Sequence, residues 1–209
     1  MLPYFKKHIF ALGLVSVLVF SCSKNDDVKK DSSETTKVDF VKSLGGSKNE
    51  SAQSVINTMD GGYAVFGYTQ SMDGDISNKS NESFDYWLLK YSQDDMLQWQ
   101  KTYGGSDDDR GNDIIQTNDG GFAIIGFSKS MDGNVTTNNG AHDFWVSKLD
   151  SSGNISWEKN YGFLGADIGN SIIQTHDDGF LITGVLDVSS SNGEGNSKSI
   201  KSKPFKTQH

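Results

Sequence analysis

A chain of 209 residues that is 34% hydrophobic and 11% aromatic can bury one or two cores, which excludes a wholly disordered protein. Its 23 glycines, 2 prolines and 22% charged residues favour short strands joined by glycine turns, so we predict an all-β fold. The formal net charge of -8 repels phosphates and excludes nucleic acid as a partner. The single cysteine excludes a disulfide framework and a cysteine-rich zinc site.

The N-terminus has the arrangement of a bacterial signal peptide. Lys6-Lys7 is followed by an apolar run over residues 9–20 that is too short to span a bilayer comfortably. Val19-Phe20-Ser21-Cys22 resembles a lipobox, the site where signal peptidase II cleaves before an acylated cysteine. The resemblance implies removal of residues 1–21 and palmitate-type acylation of Cys22, which would anchor the protein to a membrane. An ordinary secretory leader with a chance cysteine is the alternative.

Residues 22–37 follow the leader and include a single aliphatic side chain, Val28. With so little apolar surface to bury, we predict that they form a flexible tether behind the acylated cysteine. Asp26-Asp27 resembles the acidic export signal that sends Bacteroidota lipoproteins to the outside of the outer membrane, and a merely solvated linker is the alternative. The predicted location is the cell envelope, with a lipid anchor in the outer membrane and exposure at the cell surface if the signal operates.

Residues 38–188 repeat with a period of about 58 residues. Asp85-Tyr86-Trp87, for example, returns as Asp143-Phe144-Trp145, and a third copy begins at Tyr161-Gly162 without reaching its Asp-aromatic-Trp segment. A fixed period of this length usually defines the architecture of the whole body. The sequence therefore predicts two and a half copies, near 40–100, 101–160 and 161–188.

Each copy divides into four strand-length pieces, the pattern of one antiparallel four-stranded unit. The second and third pieces are apolar on both sides of the pleat, so both faces of the sheet should be covered. The fourth alternates, with Ile155, Trp157 and Tyr161 predicted on one face and a wet face opposite. An Asp-Gly-Gly turn after the first piece suits a tight hairpin, because glycine tolerates positive φ. In copy two the predicted strands lie near 112–117, 122–128, 143–149 and 154–160.

Tandem sheets that are apolar on both faces favour radial stacking as blades of an incomplete β-propeller, and a linear stack is the alternative. Three strings occur within residues 40–186: W-x-K-x-Y-G-G, I-I-Q-T-x-D-G-G-F and D-x-W-x-x-K-L-D-x-x-G-x-I-x-W. They resemble the repeats of secreted and lipid-anchored Bacteroidota proteins that are predicted to be β-propellers. The resemblance implies architecture more than activity, because members are labelled only lipoprotein, lectin-like or endoglucanase-related. Longer members carry more copies, so we expect a truncated product, with residues 189–209 as a disordered tail or unfinished loop.

Motifs for catalysis are few. His142 precedes Asp143, but adjacent strand residues point to opposite faces, so a loop histidine is favoured over half of a catalytic pair. The cluster Asp107-Asp108-Asp109 is replaced by Lys48-Asn49-Glu50 in the first copy and by Gly165-Ala166-Asp167 in the third, which favours a solvated loop. No GxSxG elbow or phosphate-binding loop occurs. We therefore assign no catalytic residue and no ligand-binding residue from the sequence.

Two repeated loops, Ser71–Asp75 and Ser130–Asn134, alternate oxygen-bearing side chains around a glycine, which can wrap calcium. The rest of an EF-hand-like loop is missing, so a simple Asp-Gly turn is the alternative, and no other cofactor is predicted. Tryptophans recur at strand positions, which favours core or interface packing over stacking on sugars. The candidate calcium ligands are Asp73, Asp75, Asp132 and Asn134, and the tryptophans are Trp87, Trp99, Trp145 and Trp157.

These observations predict a non-enzymatic binding or scaffold module, presented on a lipid-anchored body, for an extracellular ligand such as a glycan or another protein. A polysaccharide-active enzyme of the glycoside hydrolase type, using loop carboxylates, is the alternative because such enzymes need only two suitably spaced carboxyl groups. A purely structural element of an envelope complex is a third possibility.

Overall fold

The computed structural model describes residues 42–187, and all regular structure in that range is β-strand. The strands form three antiparallel meanders with the orders β1-β2-β3-β4, β5-β6-β7-β8 and β10-β9. This confirms the predicted all-β fold of tandem four-stranded repeats, with only half of the third sheet present in the described range. The strands are β1 Glu50–Asn57, β2 Tyr63–Thr69, β3 Asp85–Tyr91, β4 Leu97–Tyr103, β5 Asp109–Gln116, β6 Phe122–Ser128, β7 Asp143–Leu149, β8 Ile155–Tyr161, β9 Ile168–Gln174 and β10 Phe180–Val185.

Several predicted features fall outside the described residues: the signal peptide, the anchor at Cys22, the tether and the tail over 189–209. Within residues 42–187 there is no helix long and apolar enough to cross a membrane.

The hairpin between the first two strands of each repeat has the predicted turn chemistry. The amide of Thr58 donates to the carbonyl of Gly62, and the amide of Thr175 donates to the carbonyl of Gly179. The N···O distance is 2.9 Å in both bonds. Gly61 has a φ of 82°, and Asp178 occupies the same left-handed position in the third copy with a φ of 59°. A type I turn followed by a left-handed residue is the usual three-residue hairpin, so the Asp-Gly-Gly prediction is confirmed.

The outermost strand differs from the predicted alternation. A register shift between Lys148 and Leu149 separates the partners of Ile155 and Trp157 on β8. Ile155 packs with the core between the first two sheets, whereas Trp157 and Tyr161 pack with the core on the opposite face. The prediction that Ile155, Trp157 and Tyr161 share one face is therefore wrong, because a β-bulge reverses the facing of every residue beyond it.

The sheets stack face to face like blades of a propeller. Strand β5 packs against β1, β2 and β3 of the preceding sheet, and β9 packs against β5, β6 and β7. At β5, Gly111 packs so closely on the preceding sheet that a Cβ there would lie 2.2 Å from Phe66 Cζ and 2.8 Å from the carbonyl oxygen of Gly67. Toward the outer strands the gap is filled by large rings, such as Trp99, which meets Phe122 edge to face at 5.9 Å. Small residues at the inside and aromatic residues at the outside are what a radial taper requires.

Two apolar cores lie between successive sheets. Trp145, Tyr86 and Ile114 are in the core between the first and second sheets, and Ile125 and Ile172 are in the core between the second and third. All four tryptophans are buried or half-buried in these cores or in the cluster on the other face of the first sheet, which confirms the packing prediction. Large apolar side chains remain exposed at both ends of the stack, among them Val55, Ile173, Leu181 and Val185.

Candidate functional site

The four predicted calcium ligands lie in loops that close over the Gly-Gly turns of each repeat. Asp73 accepts the amide of Ser47 at 2.8 Å, and its repeat equivalent Asp132 accepts the amide of Ser106 at 2.6 Å. The bond from Ser47 is also the main reason that the pKa of Asp73 is lowered. These contacts are the ones expected of the alternative to calcium binding, a simple Asp-Gly turn whose side chains accept hydrogen bonds from backbone amides.

Asp75 and Asn134 complete the same loops. Asp75 accepts the amide of Gly45 at 2.9 Å, and Asn134 accepts the amide of Gly104 at 3.2 Å. Nowhere in the range 42–187 do three or more His, Cys, Asp or Glu side chains group so that they could hold a metal ion. Calcium binding at these loops stays a prediction.

The acidic cluster at Asp107–Asp109 is not a solvated loop throughout. Asp107 is exposed, but Asp109 begins β5 and has no solvent-exposed surface. Its carboxylate accepts hydrogen bonds from Ser130 Oγ and from the amide of Gly105, both at 2.8 Å, and from Ser128 Oγ. Burial raises the pKa of Asp109, and these bonds oppose that rise. The prediction was wrong for Asp109 because the strand begins three residues earlier than the apolar pattern indicated.

A second buried carboxylate lies beside Asp109. Asp85 Oδ1 and Asp109 Oδ2 are each 2.6 Å from the point that a Cβ on Gly104 would occupy. Lys79 Nζ lies 3.3 Å from Asp85 Oδ2, and its side chain is fully buried. Burial nevertheless raises the pKa of Asp85 to about 6, against the opposing effect of the Lys79 charge. Only a residue without a side chain fits between the two carboxylates.

The same arrangement recurs one repeat later. Asp143 Oδ1 and Asp167 Oδ2 lie 2.4 and 2.6 Å from the position of a Cβ on Gly162. The amide of Asp167 donates to the carbonyl of His142 at 2.7 Å, as the amide of Asp109 does to the carbonyl of Phe84 at 2.6 Å. A carboxylate pair therefore lies at each of the two junctions between successive sheets, beside a backbone hydrogen bond that crosses the junction.

A polar cleft of about 430 Å³ lies beside Asp85 of the first carboxylate pair. It lies between the loop around Lys79 and the loop around Asp132, and the glycine turn at Gly104 and Gly105 lines it. Asp85 also reaches this cleft, so one carboxyl group with a raised pKa borders a space large enough for a small ligand.

The two described histidines do not form a catalytic pair. The ring of His142 packs against that of Phe127 at a tilt of 40°, with 4.6 Å between ring centroids, and burial, followed by the charge of Lys129, lowers the pKa of His142. The neighbouring Asp143 instead accepts the amide of Asn139 at 2.7 Å. His176 is exposed in the turn between β9 and β10.

A groove of about 460 Å³ crosses the first strands of all three repeats. One amide side chain from each first strand contributes to it at the same repeat position: Gln53, Asn112 and Asn170. Two half-buried rings at equivalent positions, Tyr68 and Phe127, also line the groove. We call this site the amide groove. It is lined by Gln53, Tyr68, Arg110, Asn112, Phe127, Ile168 and Asn170.

Arg110 is held in place within the amide groove. Its guanidinium carbon lies 4.2 Å from the ring centroid of Phe84 and 5.5 Å from that of Tyr68. Its Nη2 donates to Asp108 Oδ2 at 3.2 Å, while its Nε is buried and has no hydrogen-bond partner in the described structure. A guanidinium packed against aromatic rings and paired with a carboxylate loses little side-chain entropy when a ligand binds.

No known protein family matches this chain, and no curated protein does.

None of the groove residues was selected from the sequence. The available signal was the recurrence of an amide at Gln53, Asn112 and Asn170, but a single polar residue in a strand is usually just its wet face. Only the stacking of the three first strands brings these amides together beside the rings.

Proposed function

We propose that this chain is a cell-envelope lipoprotein whose propeller-like repeats form a non-enzymatic binding module for an extracellular glycan, with the amide groove as its binding site. The observation that carries the proposal is the convergence of three amides, two rings and one guanidinium on a single groove. Ligand sites generally combine apolar or aromatic walls with a few placed polar groups.

The chemistry of the groove favours a glycan over a purely apolar ligand. A sugar ring has C–H faces that pack on aromatic rings and hydroxyl groups that pair with amides. Tyr68 and Phe127 supply the ring faces, and Gln53 and Asn170 supply amide donors and acceptors. The guanidinium of Arg110 provides further donors in a fixed plane.

Calorimetric titration of the full chain with a panel of neutral and uronate-containing oligosaccharides tests the site. We expect binding by at least one member of the panel, and Tyr68→Ala should weaken that binding about tenfold through loss of ring contact. Tyr63→Ala is the matched control, because Tyr63 is in the same strand but stacks on Tyr91 outside the groove. Equal effects of the two substitutions, or no binding across the panel, would refute the assignment.

The lipid anchor is tested separately through Cys22. In cells fed labelled palmitate, the wild-type chain should incorporate the label, and Cys22→Ala should abolish incorporation because the thiol that carries the acyl chain is gone. Cleavage of the leader should fail in the same variant. Continued incorporation by Cys22→Ala would contradict the lipoprotein assignment without affecting the amide groove.

A polysaccharide-active enzyme is the second candidate, favoured by the raised pKa of Asp85 at the edge of the polar cleft. A carboxyl group with a raised pKa is what a general acid requires. Hydrolysis assays on the polysaccharides that correspond to the oligosaccharide panel distinguish the enzyme from the binding module. Asp85→Asn is the variant expected to be inactive. Turnover that depends on Asp85 would replace the proposed function.

A further inference from the structure

The outer edge of β10 differs from the corresponding edges in the first two repeats. In the second repeat β6 pairs with β7 along its whole length, from Phe122 opposite Leu149 to Ser128 opposite Asp143. β10 pairs with β9 on one side, and within residues 42–187 no strand pairs with its other side. Its outward-facing N–H and C=O groups therefore form a template for an added strand.

β10 is already positioned as the second strand of a complete sheet. Phe180 meets Trp157 edge to face at 5.6 Å, just as Phe122 meets Trp99 at 5.9 Å one repeat earlier. The register of β10 on β9 carries the same irregularity, here between Thr183 and Gly184. A strand added at this edge would therefore meet backbone geometry that matches β6.

The turn before β10 also presents one half of a repeated ion pair. Lys90 Nζ on β3 lies 2.8 Å from Asp60 Oδ2, and Lys148 Nζ on β7 lies 2.8 Å from Asp119 Oδ2. In each turn a threonine hydroxyl holds the aspartate, and Thr175 Oγ1 holds Asp177 in the same way at 2.5 Å. No lysine or arginine in the described range forms an ion pair with Asp177.

In each of the two complete repeats, one strand pairs with the edge of the second strand and also supplies a lysine to the turn aspartate. β3 and β7 carry the pattern Asp-aromatic-Trp-x-x-Lys, which pairs the whole edge and places the lysine beside the turn aspartate. The same strand would cover apolar side chains of the third repeat, where Leu181 is 48% exposed and Val185 is 54% exposed.

We propose that the outer edge of β10 is a docking site for one antiparallel strand of the pattern Asp-aromatic-Trp-x-x-Lys. A second copy of this chain is a poor donor, because its own β3 and β7 are each paired on both sides. Pairing of two β10 edges would place no lysine beside Asp177. The fitting partner is therefore a polypeptide segment that carries this pattern and is not already paired on both sides.

The test uses a fluorescein-labelled peptide with the sequence of residues 143–161, which supplies such a strand together with its following hairpin strand. Titration of the purified full chain into this peptide should give a saturable rise in fluorescence anisotropy. Hydrogen exchange of the β10 amides should slow when the peptide binds, because an added strand protects outward-facing N–H groups.

A charge swap identifies the register. The peptide carrying Lys148→Glu should bind the wild-type chain about tenfold more weakly, because a like charge then faces Asp177. Asp177→Lys in the chain should weaken binding of the original peptide and restore binding of the Lys148→Glu peptide. Asp178→Lys makes the same change of net charge one residue away and is the matched control.

The outcomes separate cleanly. Restored binding in the swapped pair, absent in the Asp178→Lys control, establishes the docking site and its register. Absence of peptide binding, binding that is indifferent to the charges, or a homodimer that protects the β10 amides without peptide would each overturn the proposal.

Discussion

Replacing Trp145 with Ala should lower the free energy of unfolding by about 3–5 kcal/mol, the range typical of large aromatic residues deleted from a core. Trp145 is fully buried between the first and second sheets, and its ring centroid lies 4.5 Å from that of Tyr86. Its indole Nε1 donates to Glu158 Oε2 at 2.9 Å, so the substitution also removes the donor for that carboxylate. Urea denaturation followed by circular dichroism measures the loss.

The matched control is Trp87→Ala at the equivalent position of the first sheet. Trp87 is 6% exposed and packs with Leu89, Tyr91 and Ile76, on a face that no second sheet formed by residues 42–187 covers. Trp87→Ala should lower the free energy of unfolding by less than Trp145→Ala does, because the loop around Ile76 can relax more readily than two packed sheets. Equal losses for the two tryptophans would show that packing between sheets does not dominate the stability of the fold.

The second large effect is a pH dependence that originates at Asp85. Its pKa is about 6 in the folded protein, against an ordinary value of 3.8. Below the unfolded pKa the group is protonated in both states and imposes no penalty. As the pH rises from about 4 to about 6, the unfolded chain ionises more readily, so the folded state loses about 3 kcal/mol of relative stability. The buried Asp109 and Asp143 shift in the same direction.

Other aspartates oppose this trend only in more acidic solution. The pKa of Asp60 is lowered to about 2, chiefly by the hydrogen bond from Lys90. Burial of Asp119 acts to raise its pKa, but hydrogen bonds from Lys148 and Thr117 lower it to about 2. The stability that these two groups contribute is therefore present above pH 4 and is lost between about 4 and 2.

We therefore expect maximal stability near pH 4 to 5, with a measurable decline toward pH 7. Denaturation curves recorded across this range on the wild type and on Asp85→Asn provide the test. The variant should show a shallower decline, whatever its absolute stability, because an amide does not titrate. Identical slopes in the two proteins would contradict the raised pKa of Asp85.

The carboxylate pairs also bear on how the repeats are joined. Asp85 with Asp109, and Asp143 with Asp167, each lie where the third strand of one sheet meets the first strand of the next. Burial of two carboxyl groups around a glycine is expensive unless one is protonated or well hydrogen-bonded. Asp109 meets that requirement through Ser128, Ser130 and the amide of Gly105.

The sequence by itself determined the architecture of the described body. A fixed period, glycine-rich turns and doubly apolar strands are local signals, and each predicts a structure formed by residues close together in the chain. The hairpin turn at Gly61 and the full burial of β7 followed from such signals. The buried or half-buried positions of the tryptophans followed as well, because they recur at strand positions of each repeat.

Only the tertiary structure decided which residues meet across repeats. Ile155 and Trp157 are separated by a bulge whose position depends on pairing with β7, not on the sequence of β8. Asp109 is buried because the preceding sheet covers the start of β5, which no local pattern encodes. Gln53, Asn112 and Asn170 are about 58 residues apart in the chain and form one groove only when the first strands stack. Long-range packing brings such residues together. The repeat period shows which positions are equivalent, but it does not show how closely the equivalent strands approach one another.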